Sequence, residues 1–251
     1  FVKGSMSHQK FTLILQSREL ITPRVMKFGF VRSDGEPFEY IPGQFLTLHL
    51  PWEDMVLRRS YSVATIPNGA AGMREIEIAV TAVEDGRATG VLFNLCPGER
   101  VEATGPFGRF VLRDDPPSRY LLIGTGTGVS PYRAMLPALR ERLREDGFEA
   151  QLMLGVRSPE ELLFGADFET FADAVEGFRF LPSFSRHQPQ ADAAGVHGYV
   201  QHRLAEIALD PAHDIVYLCG NPIMIDEAVA HLKAAGFTNP GIRREKYVSS
   251  N

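Results

Sequence analysis

Gly124-Thr125-Gly126-Thr127-Gly128 sets three glycines at alternate positions, a spacing that lets backbone N–H groups come close to a phosphate with no side chain in the way. The turn follows the apolar run Tyr120-Leu121-Leu122-Ile123 and precedes Ser130-Pro131, a helix-opening pair. It therefore lies between a buried strand and a helix N-terminus, whose dipole favours an anion. The pattern is GxGxG and not GxGxxG, and many strand-to-helix turns use glycine for geometry alone. Dinucleotide folds that prefer NAD place an acid at the end of the second strand, to hold the ribose hydroxyls. Here that strand ends Gly155-Val156-Arg157. An arginine pairs with a 2′-phosphate, which points to NADP, and Ser185-Arg186 at the end of the next strand adds a second cation; a solvated surface arginine is the plain alternative. Tyr199 offers a ring for stacking on adenine or for ordinary packing.

Arg59-Ser60-Tyr61-Ser62 is the second chemical cluster. Strand alternation sends Arg59 and Tyr61 to one face and Ser60 and Ser62 to the other, so a short stretch carries a phosphate partner, a flat ring and a hydroxyl. Gly86-Arg87-Ala88-Thr89 opens a short helical stretch, Thr89 to Leu95. Cys219 ends an apolar strand and is followed by Gly220-Asn221-Pro222, which places a small, polarizable side chain at a strand-to-helix turn; a buried structural cysteine is the alternative.

Two kinds of element must hold these residues. Up to Leu112 the apolar residues mostly alternate, as in Ile76-Glu77-Ile78-Ala79-Val80, with turns at Pro42-Gly43, Pro67-Asn68-Gly69 and Pro97-Gly98. This pattern predicts an antiparallel β-barrel over residues 6–113, including a strand Gln44 to Leu50 and a loop Pro51 to Met55. Asp114-Asp115-Pro116-Pro117-Ser118 reads as a linker, residues 114–118. From residue 119 to 251 strands and helices alternate, which predicts a parallel sheet covered on both faces. Its strands are expected at Tyr120 to Ile123, Leu152 to Val156, Phe178 to Leu181 and Ile215 to Cys219. Its helices are expected from Ser130 to about Asp146, near Val200 to Ala208, and near Ile223 to Ala235. The fold class is thus two-domain, an antiparallel β-barrel followed by an α/β parallel-sheet domain.

Composition narrows the function further. The chain has 251 residues, 44% apolar and 23% charged, with a net charge of −5, and basic residues concentrate in neither half, so no nucleic-acid partner is expected. Two cysteines, Cys96 and Cys219, cannot hold an iron–sulfur cluster or a cysteine zinc site within this chain, and the seven histidines are too scattered for a metal cluster, so no metal is expected. No apolar run approaches the ~18 residues of a membrane span, and no secretory leader is apparent, which predicts a cytoplasmic protein with no membrane partner. A monomer is expected.

Four motifs in one order, Arg59 to Ser62, Gly86 to Thr89, Gly124 to Pro131 and Cys219 to Met224, resemble the ferredoxin/flavodoxin–NADP reductases, and the likeness runs from Phe11 to Tyr247. The resemblance implies an FAD-binding barrel and an NADP-binding domain. Arg59 would contact the FAD pyrophosphate, Tyr61 would lie against the isoalloxazine and Ser62 would approach its reactive N5, with Ser60 also among the FAD-binding residues. Gly86, Ala88 and Thr89 would meet the pyrophosphate, while Val80 and Thr81 would line the flavin's other edge. Gly126, Thr127 and Gly128 would hold the NADP pyrophosphate, Arg157, Ser185 and Arg186 the 2′-phosphate, and Tyr199 the adenine. Cys219, with Gly220 and Asn221, would approach the nicotinamide; Glu245 and Tyr247 would join Ser62 and Cys219 in the catalytic set, Tyr247 covering the flavin face. The two rings would meet between the domains, and the tail Val248 to Asn251 would return towards the FAD adenine. His197 stands where some relatives carry a basic nucleotide contact.

The implied function is electron exchange between NADP(H) and ferredoxin or flavodoxin, by hydride transfer between nicotinamide C4 and flavin N5. The acidic carrier would dock on a basic rim drawn from Arg58, Arg109, Arg113, Arg243, Arg244 and Lys246. One alternative is an NADH-dependent reductase component serving an oxygenase or a haem protein. Another, from a different class, is a non-catalytic nucleotide-binding regulatory module. Comparison of NADPH with NADH turnover separates the first pair, and a flavin that neither nucleotide bleaches would favour the module.

Overall fold

The computed structural model describes residues 8–67, 74–113, 119–145, 147–189 and 195–247. The expected linker, residues 114–118, and the tail Val248 to Asn251 lie outside the described residues, as does Asp146. The chain divides into two compact units, one up to Leu112 and one from Arg113.

The first unit is a six-stranded antiparallel sheet in the order β4-β3-β6-β1-β2-β5, with β1 Gln9–Thr22, β2 Val25–Arg32, β3 Phe45–Trp52, β4 Met55–Ser62, β5 Glu75–Thr81 and β6 Arg100–Phe107. Alternation fills its interior: Phe11, Leu13 and Leu15 from β1, Phe28 and Phe30 from β2, Leu46, Leu48 and Leu50 from β3, and Ile76, Ile78 and Val80 from β5. Each such side chain contributes about 1.5–3 kcal/mol on burial. Just past β4, Ala64 N–H donates to Glu77 O on β5 at 2.8 Å, so the outermost strands approach and the sheet curls into a half-barrel. Helix α1, Arg87–Asn94, plugs it with Ala88 and Leu92.

The loop expected at Pro51 to Met55 is mostly strand. Pro51 pairs with Val56 and Trp52 with Met55, and Glu53 takes a positive φ of 50° in a two-residue turn. Proline is tolerated because at this point β3 pairs with β4 alone, so no second ladder needs its missing N–H.

The second unit is a parallel sheet in the order β10-β9-β8-β7-β11-β12. Its strands are β7 Arg119–Thr125, β8 Glu149–Val156, β9 Phe178–Phe184, β10 Val196–His197, β11 Asp214–Gly220 and β12 Ile242–Lys246. Helices α2 Ser130–Arg142, α3 Gly165–Ala174 and α4 Pro222–Ala234 connect successive strands. Leu121, Ile123, Met153, Val216 and Leu218 pack with Met224, Ile225 and Ala228 of α4 and with Val200 and Leu204, while Leu122, Leu152 and Leu154 are buried on the other face. The helix expected near Val200 to Ala208 is a 3₁₀ segment, Val200–Glu206; the Arg203–Glu206 pair at i,i+3 suits three residues per turn, and Ile207 is already extended.

Candidate functional site

In the first unit, Arg59 to Ser62 occupy the edge strand β4, paired with Leu48, Thr47, Leu46 and Phe45 in turn. Tyr61 packs against the barrel core, and burial pushes its hydroxyl up to about 12 although Arg59 acts the other way. Arg59 shares that face, its Nη1 donating to Arg58 O at 2.9 Å. Ser60 lies on the opposite, exposed face, its hydroxyl 3.0 Å from that of Thr47, so its side chain is turned from Tyr61. Ser62 is buried at the strand end. Beyond it the chain is fixed by Gln44, whose carbonyl accepts from Val63 N at 3.1 Å and whose side chain bridges Ile41 N and Gly108 O. Val80 is buried in the core and can offer a ligand only its backbone; Thr81 is half-buried beside it.

Gly86 is the N-cap of α1, with no side-chain cap and no acid in the first turn. Thr89 Oγ1 donates back to Gly86 O at 3.0 Å and to Val83 O at 3.2 Å, and a Cβ on Gly86 would stand 2.6 Å from that oxygen. A side chain at Gly86 would crowd Thr89 and Val83, and the N–H groups of the first helical turn, Arg87 to Thr89, remain for an anion. The chemistry of this set fits a flavin nucleotide: a cation, a flat ring, a hydroxyl and a helix N-terminus with no acid in its first turn, although Glu84 and Asp85 directly precede its cap.

In the second unit the glycine turn follows β7, the strand at which chain order reverses between β8 on one side and β11 on the other. Gly126 takes φ 52°, with open space where a Cβ would point, and starts a 3₁₀ turn, Gly126–Val129, that runs into α2. The turns after β7 and β11 are pressed together. A Cβ on Gly128 would meet Cys219 O at 2.4 Å; one on Gly220 would meet Thr125 Oγ1 at 2.5 Å, and Thr125 Oγ1 accepts from Asn221 N at 2.9 Å. Thr127 is half-buried between these contacts. Asn221 Oδ1 caps α4, accepting from Ile223 N at 2.8 Å, so that acceptor already has a structural task. The open cradle at Gly126 fits a nucleotide pyrophosphate.

Cys219, Glu245 and Tyr247 are brought together. Cys219 pairs with Glu245 across β11 and β12, Tyr247 N donates to Gly220 O at 2.8 Å, and a side-chain hydrogen bond joins Tyr247 to the Cys219 thiol. Burial first, then the Glu245 carboxylate, pushes the thiol well up, while Tyr247 opposes the shift, so Cys219 is a neutral thiol at physiological pH. Tyr132 of α2 lies beneath, its hydroxyl within 2.9 Å of Ile123 O and 3.0 Å of Tyr217 O, tying the ends of β7 and β11.

At the ends of β8 and β9, Ser185 N and Arg186 N donate to Val156 O and Arg157 O, both at 2.9 Å, so the two arginines stand on neighbouring strand ends. Arg186 is exposed, Ser185 half-buried, and Tyr199 is 60% exposed, its ring edge-on to His202. His197 is tied by Nδ1 to His187 O at 3.0 Å. Of the expected basic rim, Lys246 is neutralised by Asp226 and Arg113 donates to Pro240 O, whereas Arg58, Arg109 and Arg244 are exposed. Among the described residues no group of three His, Cys, Asp or Glu could hold a metal, and no helix is long and apolar enough to cross a membrane.

The profile of an oxidoreductase FAD-binding domain matches residues 12–112, and that of an oxidoreductase NAD-binding domain matches residues 122–230. Over 214 residues the chain is 34% identical to ferredoxin–NADP reductase B of Sorangium cellulosum, covering 82% of this chain and 84% of that protein. The chain belongs to the ferredoxin–NADP reductase-like family. It is an oxidoreductase of that family with an FAD-binding and an NAD(P)-binding domain. The reductase component of a Pseudomonas phenol 2-monooxygenase is 31% identical over 85% of this chain, which spans only 59% of that protein's length. Among solved structures, a cytochrome P450 reductase from Amycolatopsis superposes with a TM-score of 0.85 at 28% identity, over 97% of this chain and 71% of that one. A ferredoxin–NADP reductase from Neisseria gonorrhoeae shares the fold, with a TM-score of 0.79 at 21% identity and 94% and 98% coverage.

Several positioning residues escape motif reading. Gln44 and Tyr132 look like ordinary strand and helix residues, and only their burial and bonds reveal them. Glu161 meets Arg157 through an ion pair, which the i,i+4 spacing signals, but an acid beside an arginine is too common to single out.

Proposed function

We propose that this chain is an FAD-dependent reductase that takes electrons from NADPH and passes them to a one-electron carrier, ferredoxin or flavodoxin. The observation that carries this is the neutral Cys219 joined to Tyr247 and facing Glu245, on the strand turn pressed against the glycine cradle. Bound FAD supplies the exchange between hydride and single-electron chemistry. The protein's part is to bind and orient. Gly126 to Gly128 hold the nucleotide pyrophosphate, while Arg157, Ser185 and Arg186 take its ribose end and Tyr199 its adenine. Cys219, Gly220 and Asn221 would hold the nicotinamide end. Arg59 and the first turn of α1 would hold the flavin's pyrophosphate, Tyr61 would lie against the isoalloxazine, Val80 and Thr81 would line the far edge, and Ser62 would set a hydroxyl near N5; Ser60, whose side chain is turned to the opposite face and meets Thr47, can offer this site only its backbone. Tyr247 would be the residue that covers the flavin face. Catalysis is positioning and exclusion of water.

A second reading, a reductase component serving an oxygenase, is supported by relatives such as the phenol 2-monooxygenase component and the reductase subunit of an Amycolatopsis aromatic O-demethylase, 33% identical over 86% of this chain. Similarity over 84% of the Sorangium reductase favours the first. Turnover with ferredoxin or flavodoxin as acceptor, measured with NADPH and with NADH across a salt series, tests it. Carrier reduction that falls with salt supports docking on the exposed Arg58, Arg109 and Arg244. Absence of carrier reduction would overturn the first reading.

A further inference from the structure

After β8 the chain Arg157-Ser158-Pro159-Glu160-Glu161 curls into a 3₁₀ turn, Pro159–Glu161. Ser158 is extended, proline presets the first φ of the turn, and Glu161 N donates to Ser158 O at 3.1 Å. The curl returns Glu161 to Arg157. One carboxylate oxygen accepts from Nε at 2.9 Å, and the other lies 2.5 Å from Nη2. The two side chains are 35% and 24% exposed, so water screens the pair incompletely. This bidentate grip leaves the Nη1 donors facing away from the carboxylate. Arg157 thus stands beside Arg186, its backbone fixed by the strand-end bond, but as half of a neutral pair. Glu160 adds a second carboxylate on the same turn, its pKa lowered by the Ser158 hydroxyl first and by His187 among weaker causes.

A phosphate dianion at this mouth is drawn by Arg157 and repelled by Glu161 over similar distances, so the attractions largely cancel. We propose that Glu161 sets the coenzyme selectivity of this chain: by holding the Nε edge of Arg157 and cancelling its charge, it narrows the advantage of a 2′-phosphate over a 2′-hydroxyl and brings NADPH and NADH onto closer terms. This rests on the reading of the glycine cradle and the strand ends as the nucleotide site. Glu161 is a positioning residue that acts through Arg157.

The test uses the holoprotein and its Glu161→Gln, Arg157→Gln and doubly substituted forms. Calorimetry reads binding of 2′-phospho-AMP against AMP, and steady-state kinetics read the ratio of kcat/KM for NADPH to that for NADH. Glu161→Gln is expected to raise both ratios about tenfold, through KM for NADPH more than through kcat. Arg157→Gln should lower them, and in its background the Glu161→Gln effect should vanish. Unchanged or lowered ratios in Glu161→Gln, or an effect that persists without Arg157, would overturn the proposal. If Arg157→Gln left 2′-phospho-AMP binding unaltered, or wild-type protein bound neither probe, the nucleotide-site reading itself would fall, and the proposal with it.

Discussion

Arg59 and Cys219 carry the sharpest residue-scale consequences. Charge-assisted hydrogen bonds to phosphate are worth roughly twice a neutral one. Arg59→Ala is therefore expected to weaken FAD binding by about 30-fold or more, read as flavin lost per protein on gel filtration. Full flavin retention would remove Arg59 from the pyrophosphate site. The cysteines differ in kind: Cys96 is exposed, while Cys219 is fully buried with its pKa raised by burial. A thiol reagent at neutral pH should label Cys96 and spare Cys219 in the native protein, and label both after denaturation. Native labelling of Cys219 would contradict the packed environment described for it.

Elements place these residues by contact between glycines and neighbouring turns. Gly128→Ala would drive a Cβ to 2.4 Å from the Cys219 carbonyl, a backbone atom with nowhere to retreat. It should cost about 1–3 kcal/mol, seen as a lowered denaturation midpoint, together with weaker nucleotide binding. Gly126→Ala differs, with open space around the added carbon and only the strain of φ 52°. This contrast between two glycines of one motif was invisible in the spacing. Legible in the sequence were the alternating strands of the half-barrel and the strand, turn and helix around Gly124 to Pro131, because burial imposes the apolar period. Strand β12, Ile242-Arg243-Arg244-Glu245-Lys246, gave no such signal: it is an edge strand in which Ile242 alone is buried. Helix α3 is equally silent in the sequence, since only Gly165, Phe168 and Phe171 of its ten residues are buried and the first adds no apolar side chain to the pattern. The Ser60 to Thr47 bond, the Asn221 cap and the Arg157–Glu161 pair are tertiary or local geometric facts that residue identity does not fix.

For the molecule as a whole, the buried thiol and phenols make stability sensitive to alkaline pH. Cys219, Tyr61, Tyr132 and Tyr217 all have pKa values raised by burial, against ordinary values of 9.0 for the thiol and 10.0 for the phenols. Above about pH 9 the unfolded chain releases these protons before the folded one, so it binds fewer protons and stability falls as pH climbs. The Tyr61 contribution is complete below pH 10 and is lost as pH rises through about 12. Melting temperature should therefore decline between about pH 9 and pH 11, less steeply in Tyr61→Phe and Tyr132→Phe. Slopes identical to wild type would mean that these phenols are not held neutral by burial.

Mixing the purified flavin-loaded protein with NADPH under anaerobic conditions, and following its visible absorbance, probes hydride delivery from nucleotide to flavin with no carrier needed. The yellow flavin band should bleach within the turnover time, and a one-electron acceptor should restore it. A protein that carries no flavin, or whose flavin neither NADPH nor NADH bleaches, would contradict the reductase assignment.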